Sequence, residues 1–163
     1  LLVLAGADED VLTDVRSILE LFGDVRHVGA VGDGTSMKLT TNLLLGILME
    51  GFSEALAFAD GQDLPLEEVL DVIQSGVLGA PLFDYKGPVV RERDFAPQFP
   101  VNLLFKDLDL VLNAASNSAV PLPATAATRE AANATRALGH GDEDMMALLK
   151  HLEALTGRTI GSE

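Results

Sequence analysis

A single strand–helix–strand unit followed by helix alone is the feature that most narrows what this chain can become. The opening, "LLVLAGADEDVLTDVRSILELFGDVRHVGAVGDG", holds a buried-strand run, an acidic helix start, an apolar helical stripe and a second short strand. Val11, Val15, Ile18, Leu19 and Phe22 make the stripe, Gly23 stops the helix, and "VRHVG" reads as the second strand. One parallel pair with one crossover helix cannot bury its own faces, because parallel sheets need cover on both sides. The unit therefore reads as the last piece of a larger sheet. The chain opens on "LLVLAG" with neither a methionine nor a basic leader, so the expectation is a start in mid-domain and no signal peptide.

After Gly34 the pattern is helical throughout. Residues 35–60 read as one helix of about 40 Å at the usual rise. "DGQDLP" ends it, and Pro65 suits the first turn of the next helix, "LEEVLDVIQSG". The stretch "VLGAPLFDYKGPVVRERDFAPQFP" holds four of the seven prolines and reads as irregular. It is too long for a simple connection, which points to a functional or self-packed segment. "NLLFKDLDLVLNAASNSA" reads as an amphipathic helix and "VPLPATAATREAANATRALGHG" as an alanine-rich one. "DEDMMALLKHLEALTG" is the last helix, with Asp142 as its expected N-cap. The apolar run Leu39–Met49 is interrupted by Thr40, Thr41, Asn42 and Gly46 and is too short to span a bilayer, so no membrane partner is expected.

A chain of 163 residues can hold one core, or a core plus a fragment of a second domain. A hydrophobic content of 48% opposes disorder, and a net charge of −14 argues against a nucleic-acid partner. That charge fits an acidic enzyme and a binding domain equally. The absence of cysteine removes disulfide and thiolate chemistry and suits a reducing, cytoplasmic compartment. His27, His140 and His151 lack the spacing of a metal pair, read as surface or capping groups, and imply no metal.

Four places could carry chemistry. Gly32-x-Gly34 is not a dinucleotide fingerprint, since Met37 stands where the third glycine belongs. It reads either as a tight strand-to-helix turn or as a turn that lets a ligand approach the backbone. Lys38 and Asn42 lie one helical turn apart on one face, with Gly46 and Ser53 further along. Lys38 is either a solvated charge or, in a crevice, a desolvated proton carrier. Lys106 and Asp107 read as solvated charges that, being adjacent on a helix, do not face each other. Phe99, before Pro100, reads as core.

The string Gly32-x-Gly34-x-x-x-Lys38-x-x-x-Asn42, with "MKLTTNLLLG", "SEALAFA", "FP" and "KDLDL" following in order, resembles the β-hydroxyacid dehydrogenase superfamily. It is most similar to the glyoxylate and succinic semialdehyde reductase branch. The resemblance runs over essentially the whole chain. It implies a mainly α fold: a 6-phosphogluconate dehydrogenase-like, all-helical C-terminal domain at 34–163, opened by a long helix. Residues 1–33 would be the strand–helix–strand remnant of a Rossmann domain whose remainder is missing. Lys38 matches the catalytic lysine, which passes a proton to or from the carbonyl oxygen, and Asn42 matches the amide that orients substrate. Lys106 matches the lysine that reaches the cofactor, NADP or NAD, and Gly32 and Gly34 are assigned to cofactor binding with it. Phe99 and Asp107 match positions bordering the substrate pocket. Thr41 departs from many relatives, which carry a second asparagine there, and is read as a branch marker. The related imine reductases usually lack the lysine.

The first expectation is therefore the helical part of an NAD(P)-dependent oxidoreductase acting on a small hydroxy acid, aldehyde or keto acid, inactive as this fragment and assembled as a homodimer or homotetramer. The alternatives are a non-catalytic helical binding or dimerisation module, and a 3-hydroxyisobutyrate dehydrogenase-type member.

Overall fold

The computed structural model describes residues 1–161 and is mainly helical. It divides into two compact units, Leu1–Leu44 and the remainder from Leu45. In the first, β1 (Leu2–Gly6) and β2 (Asp24–Gly29) form a parallel pair, with α1 (Glu9–Leu19) between them in sequence. Leu2 stands opposite Asp24 and Ala5 opposite His27, with a register shift before Gly6. Glu9 and Asp10 place negative charge in the first turn of α1, where the helix dipole favours it. The apolar stripe forms as expected, but Val11, Val15, Ile18 and Phe22 stay exposed and only Leu12 of α1 is buried.

The turn into the next helix explains two glycines. Gly32 has φ +101°, a left-handed conformation that disfavours any side chain. A Cβ at Gly34 would lie 2.5 Å from the Leu4 carbonyl oxygen, so only glycine lets β1 approach this turn. The Asp33 carboxylate accepts the Ala30 N–H at 2.8 Å and ties the turn off.

Helix α2 runs from Asp33 to Gly61, 29 residues. By length and composition it is long and apolar enough to cross a bilayer, which the interrupted run Leu39–Met49 had not suggested. Its second half is nonetheless committed to a protein core: Gly46, Met49, Phe52, Ser53, Leu56 and Ala59 are buried. Gly46 leaves room for a neighbour, since a Cβ there would meet Leu108 at 3.0 Å and Leu104 at 3.3 Å.

The second unit continues with α3 (Leu66–Ser75), α4 (Pro81–Arg91), α5 (Val101–Asn117), α6 (Pro123–Ala137), a 3₁₀ turn (Met145–Leu148) and α7 (Leu149–Thr156). Met49, Phe52, Leu56, Leu70, Val90, Leu104, Leu108, Ala132, Met146, Leu148 and Leu149 form its core. Helix α4 corrects the expectation of an irregular stretch. Pro81 occupies the first turn, where its missing N–H removes no helical bond. Pro88 forfeits one bond, yet the helix continues because Lys86, Gly87 and Val90 are buried on its inner side. The N-cap expectation is corrected too. Asp144, two residues after Asp142, accepts the Met146 N–H at 3.0 Å, while Asp142 accepts from the Asn102 amide at 2.8 Å.

Candidate functional site

The opening of α2 groups the glycine turn with Lys38 and Asn42 inside the first unit. Lys38 is exposed and Asn42 half-buried. The hydroxyls around them are absorbed by the helix: Thr40 donates to the Ser36 carbonyl at 2.9 Å and Thr41 to the Lys38 carbonyl at 2.8 Å. The Lys38 ammonium and the Asn42 amide lie a turn apart on one face of the helix. Gly34 is taken up by the chain's own packing, whereas nothing lies within 4 Å of where a Gly32 Cβ would stand.

The second unit carries the other three candidates. Pro100 caps α5, Phe99 precedes it half-buried against the core, and Lys106 and Asp107 follow on the helix. Lys106 Nζ lies 2.9 Å from Asp107 Oδ1, so these neighbours do pair, against the expectation from helical spacing. The long lysine stem lets its ammonium swing back along the helix to a carboxylate its Cβ does not face. The Asp107 side chain is 4% exposed and that of Lys106 55%, so a water-facing cation sits over a buried anion.

The segment that presents Phe99 is tied to residues 141–146 by backbone bonds. Asp144 N–H donates to the Phe95 carbonyl (3.0 Å), Met145 to Phe99 (2.8 Å), Val101 to Glu143 (2.9 Å) and Asn102 to Gly141 (2.8 Å). Beneath it lies a buried ion pair that sequence reading missed: Lys86 Nζ is 2.8 Å from Asp144 Oδ1 and 2.9 Å from Oδ2. Their side chains are 2% and 0% exposed. Nothing in sequence pairs residues 58 positions apart, and the proline-rich setting of Lys86 masked its helix.

Glu50 was also missed, hidden in an apolar helix. It lines a cavity of about 480 Å³ with Glu54, Glu130 and His151, beside small residues of α6. Burial, reinforced by the negative charge of Glu54, pushes its carboxyl up to about 7. Among the described residues its Oε2 finds no hydrogen-bond donor. His151 Nε2 stands 3.6 Å from Glu50 Oε1, while its Nδ1 lies 2.5 Å from the Leu148 carbonyl and must carry the proton there. His151 is buried, which corrects its reading as a surface or capping group; His27 and His140 remain accessible, beside the Ala7 carbonyl and Glu143. Among the described residues no three His, Cys, Asp or Glu side chains gather as a metal would require.

Comparison with known proteins gives the geometry a context. Residues 32–152 match the family described as NAD-binding of NADP-dependent 3-hydroxyisobutyrate dehydrogenase. The chain is 34% identical over 151 residues to glyoxylate/succinic semialdehyde reductase 1 of Arabidopsis thaliana, covering 92% of this chain and 52% of that protein. It is 35% identical over 162 residues to 2-(hydroxymethyl)glutarate dehydrogenase of Eubacterium barkeri, covering 98% and 54%. Among solved structures, the 3-hydroxyisobutyrate dehydrogenase of Salmonella typhimurium superimposes with a TM-score of 0.83 at 26% identity, over 89% of this chain and 52% of that one. The chain spans about half the length of the curated relatives it matches.

Proposed function

This chain belongs to the family of NAD-binding domains of NADP-dependent 3-hydroxyisobutyrate dehydrogenase, and from that membership we propose that it is the C-terminal part of an NAD(P)-dependent reductase of small aldehydes or keto acids, glyoxylate or succinic semialdehyde among them. Residues 1–33 belong to its nucleotide domain and 34–163 form its helical substrate and association domain. The observation that carries this reading is that the matched span, residues 32–152, contains every candidate site residue.

The nicotinamide, when bound, supplies or accepts the hydride. The chain's own residues do the rest. Lys38, exposed at the head of α2, donates a proton to the carbonyl oxygen in reduction and takes it back in oxidation. Asn42, on the same face, holds the substrate's oxygen atoms in register with that proton. Phe99 borders the substrate, and buried Asp107 fixes the Lys106 ammonium, which meets the cofactor. The protein acts in the cytoplasm as a homodimer or homotetramer.

A helical association module without chemistry is the competing reading, and the exposure of Lys38 favours it. Steady-state kinetics on the intact protein separate the two. Lys38→Ala should lower turnover about 10²–10⁴-fold with little change in cofactor affinity, as removal of a proton carrier does. Lys106→Ala should chiefly raise the cofactor's KM. Normal kinetics in both variants would leave the association module as the answer.

A further inference from the structure

We propose that Asp144, held by Lys86, is a positioning residue for Phe99, an inference that rests on the reading of Phe99 as a substrate-pocket residue. Asp144 Oδ2 accepts two consecutive backbone donors, the N–H of Gln98 at 3.1 Å and that of Phe99 at 3.3 Å. The Phe99 carbonyl accepts the N–H of Met145, the residue next to Asp144, at 2.8 Å. Both peptide groups flanking Phe99 are therefore aimed by residues 144 and 145. Pro100 follows, and a residue before proline is confined to extended backbone. Phe99 thus has little freedom to turn, and the direction of its ring is set from below.

Lys86 is what allows a carboxylate to do this in the interior. It donates to both Asp144 oxygens and, at 3.1 Å, to the Gln98 side-chain oxygen, so α4 grips the segment at two points. A buried ion pair is a weak device for stability, since apolar residues of similar size serve as well or better. A carboxylate offers what an apolar pair does not: acceptor atoms that orient two amides at once. The pair lies beneath the segment that carries a candidate pocket residue, and orientation is the property that segment needs.

The test is a double-mutant cycle in the intact protein, with glyoxylate and succinic semialdehyde as substrates. Asp144→Asn is measured alone and combined with Phe99→Ala. Where Asp144→Asn fails to fold because Lys86 is left unpaired, Lys86→Met with Asp144→Asn, which strands no charge, takes its place. The expected result is a fall in kcat/KM of about ten- to a hundredfold, the scale of a small misplacement of a binding group. The same change in the Phe99→Ala background should cost less than about twofold, because the two act through one structure. Hydrogen exchange at the Phe99 amide should accelerate in parallel. An unchanged kcat/KM, or equal losses in both backgrounds, overturns the proposal and leaves the pair a structural tie. Lys38→Ala run alongside keeps the failures apart. If it retains normal turnover, the functional reading falls and this inference with it. If it is inert while Asp144 and Phe99 act independently, only this inference falls.

Discussion

Replacing Glu50 by glutamine should stabilise the protein at neutral and higher pH and leave it unchanged below about pH 4, where the carboxyl is protonated in both states. The folded protein holds the Glu50 carboxyl at about 7, against an ordinary value of 4.5. Between those values the folded state binds more protons than the unfolded chain, so stability from this group is full below the lower value. It is lost as pH rises from 4.5, where the unfolded chain ionises, and the loss is complete above about 7, where the carboxylate must ionise in its cavity. A tenfold change in an ionisation constant corresponds to ~1.4 kcal/mol, which makes the full loss about 3 kcal/mol. That is a sizeable part of the ~5–15 kcal/mol of a typical domain. Burial is the larger cause and Glu54 the smaller, so the amide, uncharged at every pH, escapes both. Glu54, Glu130 and His151 also face the cavity and are present in both proteins. Urea unfolding followed by circular dichroism, stepped from about pH 4 to pH 8, reads the effect. The gain of Glu50→Gln over the parent should rise from near zero to about 2–3 kcal/mol, with an unchanged m-value. A gain independent of pH, or a glutamine variant less stable at pH 8, would refute the argument that a buried charge strains this helix.

Other outcomes follow from the same geometry. The 163-residue chain by itself should be inert toward glyoxylate and succinic semialdehyde. In a fluorescence titration it should bind NADPH and NADH at about millimolar or weaker, the strength of a few polar contacts. Sedimentation at micromolar concentration should show a dimer or larger species, because Val11 and Ile18 on α1, Phe22 just after it, and Leu48 and Phe58 on α2 leave apolar surface in water; a clean monomer is the opposing result. Gly34→Ala should lower the thermal midpoint by several degrees, since its methyl would lie 2.5 Å from the Leu4 carbonyl. An equal melting temperature would show that the strand-to-helix turn gives way without penalty.

Much of the architecture is legible in the residues alone, because it depends on local periodicity and breakers. The period of the apolar residues sets α1, α3 and α5, and Gly23 and "DGQDLP" stop helices where a chain without side-chain obstacles or with fixed φ must turn. Spacing also sets Lys38 and Asn42 on one face, because a turn of helix admits no other arrangement. Helix α4 was not legible, since proline punctuates in sequence but is tolerated where inward packing outweighs one missing bond. The Lys106–Asp107 pair was not legible either, because a flexible stem overrides the direction of its Cβ. What only the tertiary structure decides is the fate of buried charge. Glu50 lies on a face of α2 that other helices close over, and a carboxylate in an apolar helix carries no mark of whether water will reach it. Asp144 and Lys86 become partners because chain folding brings residues 58 apart to within 2.8 Å. Desolvation and pairing energies depend on that distance and on nothing local, which is why they emerge from the fold and not from the string.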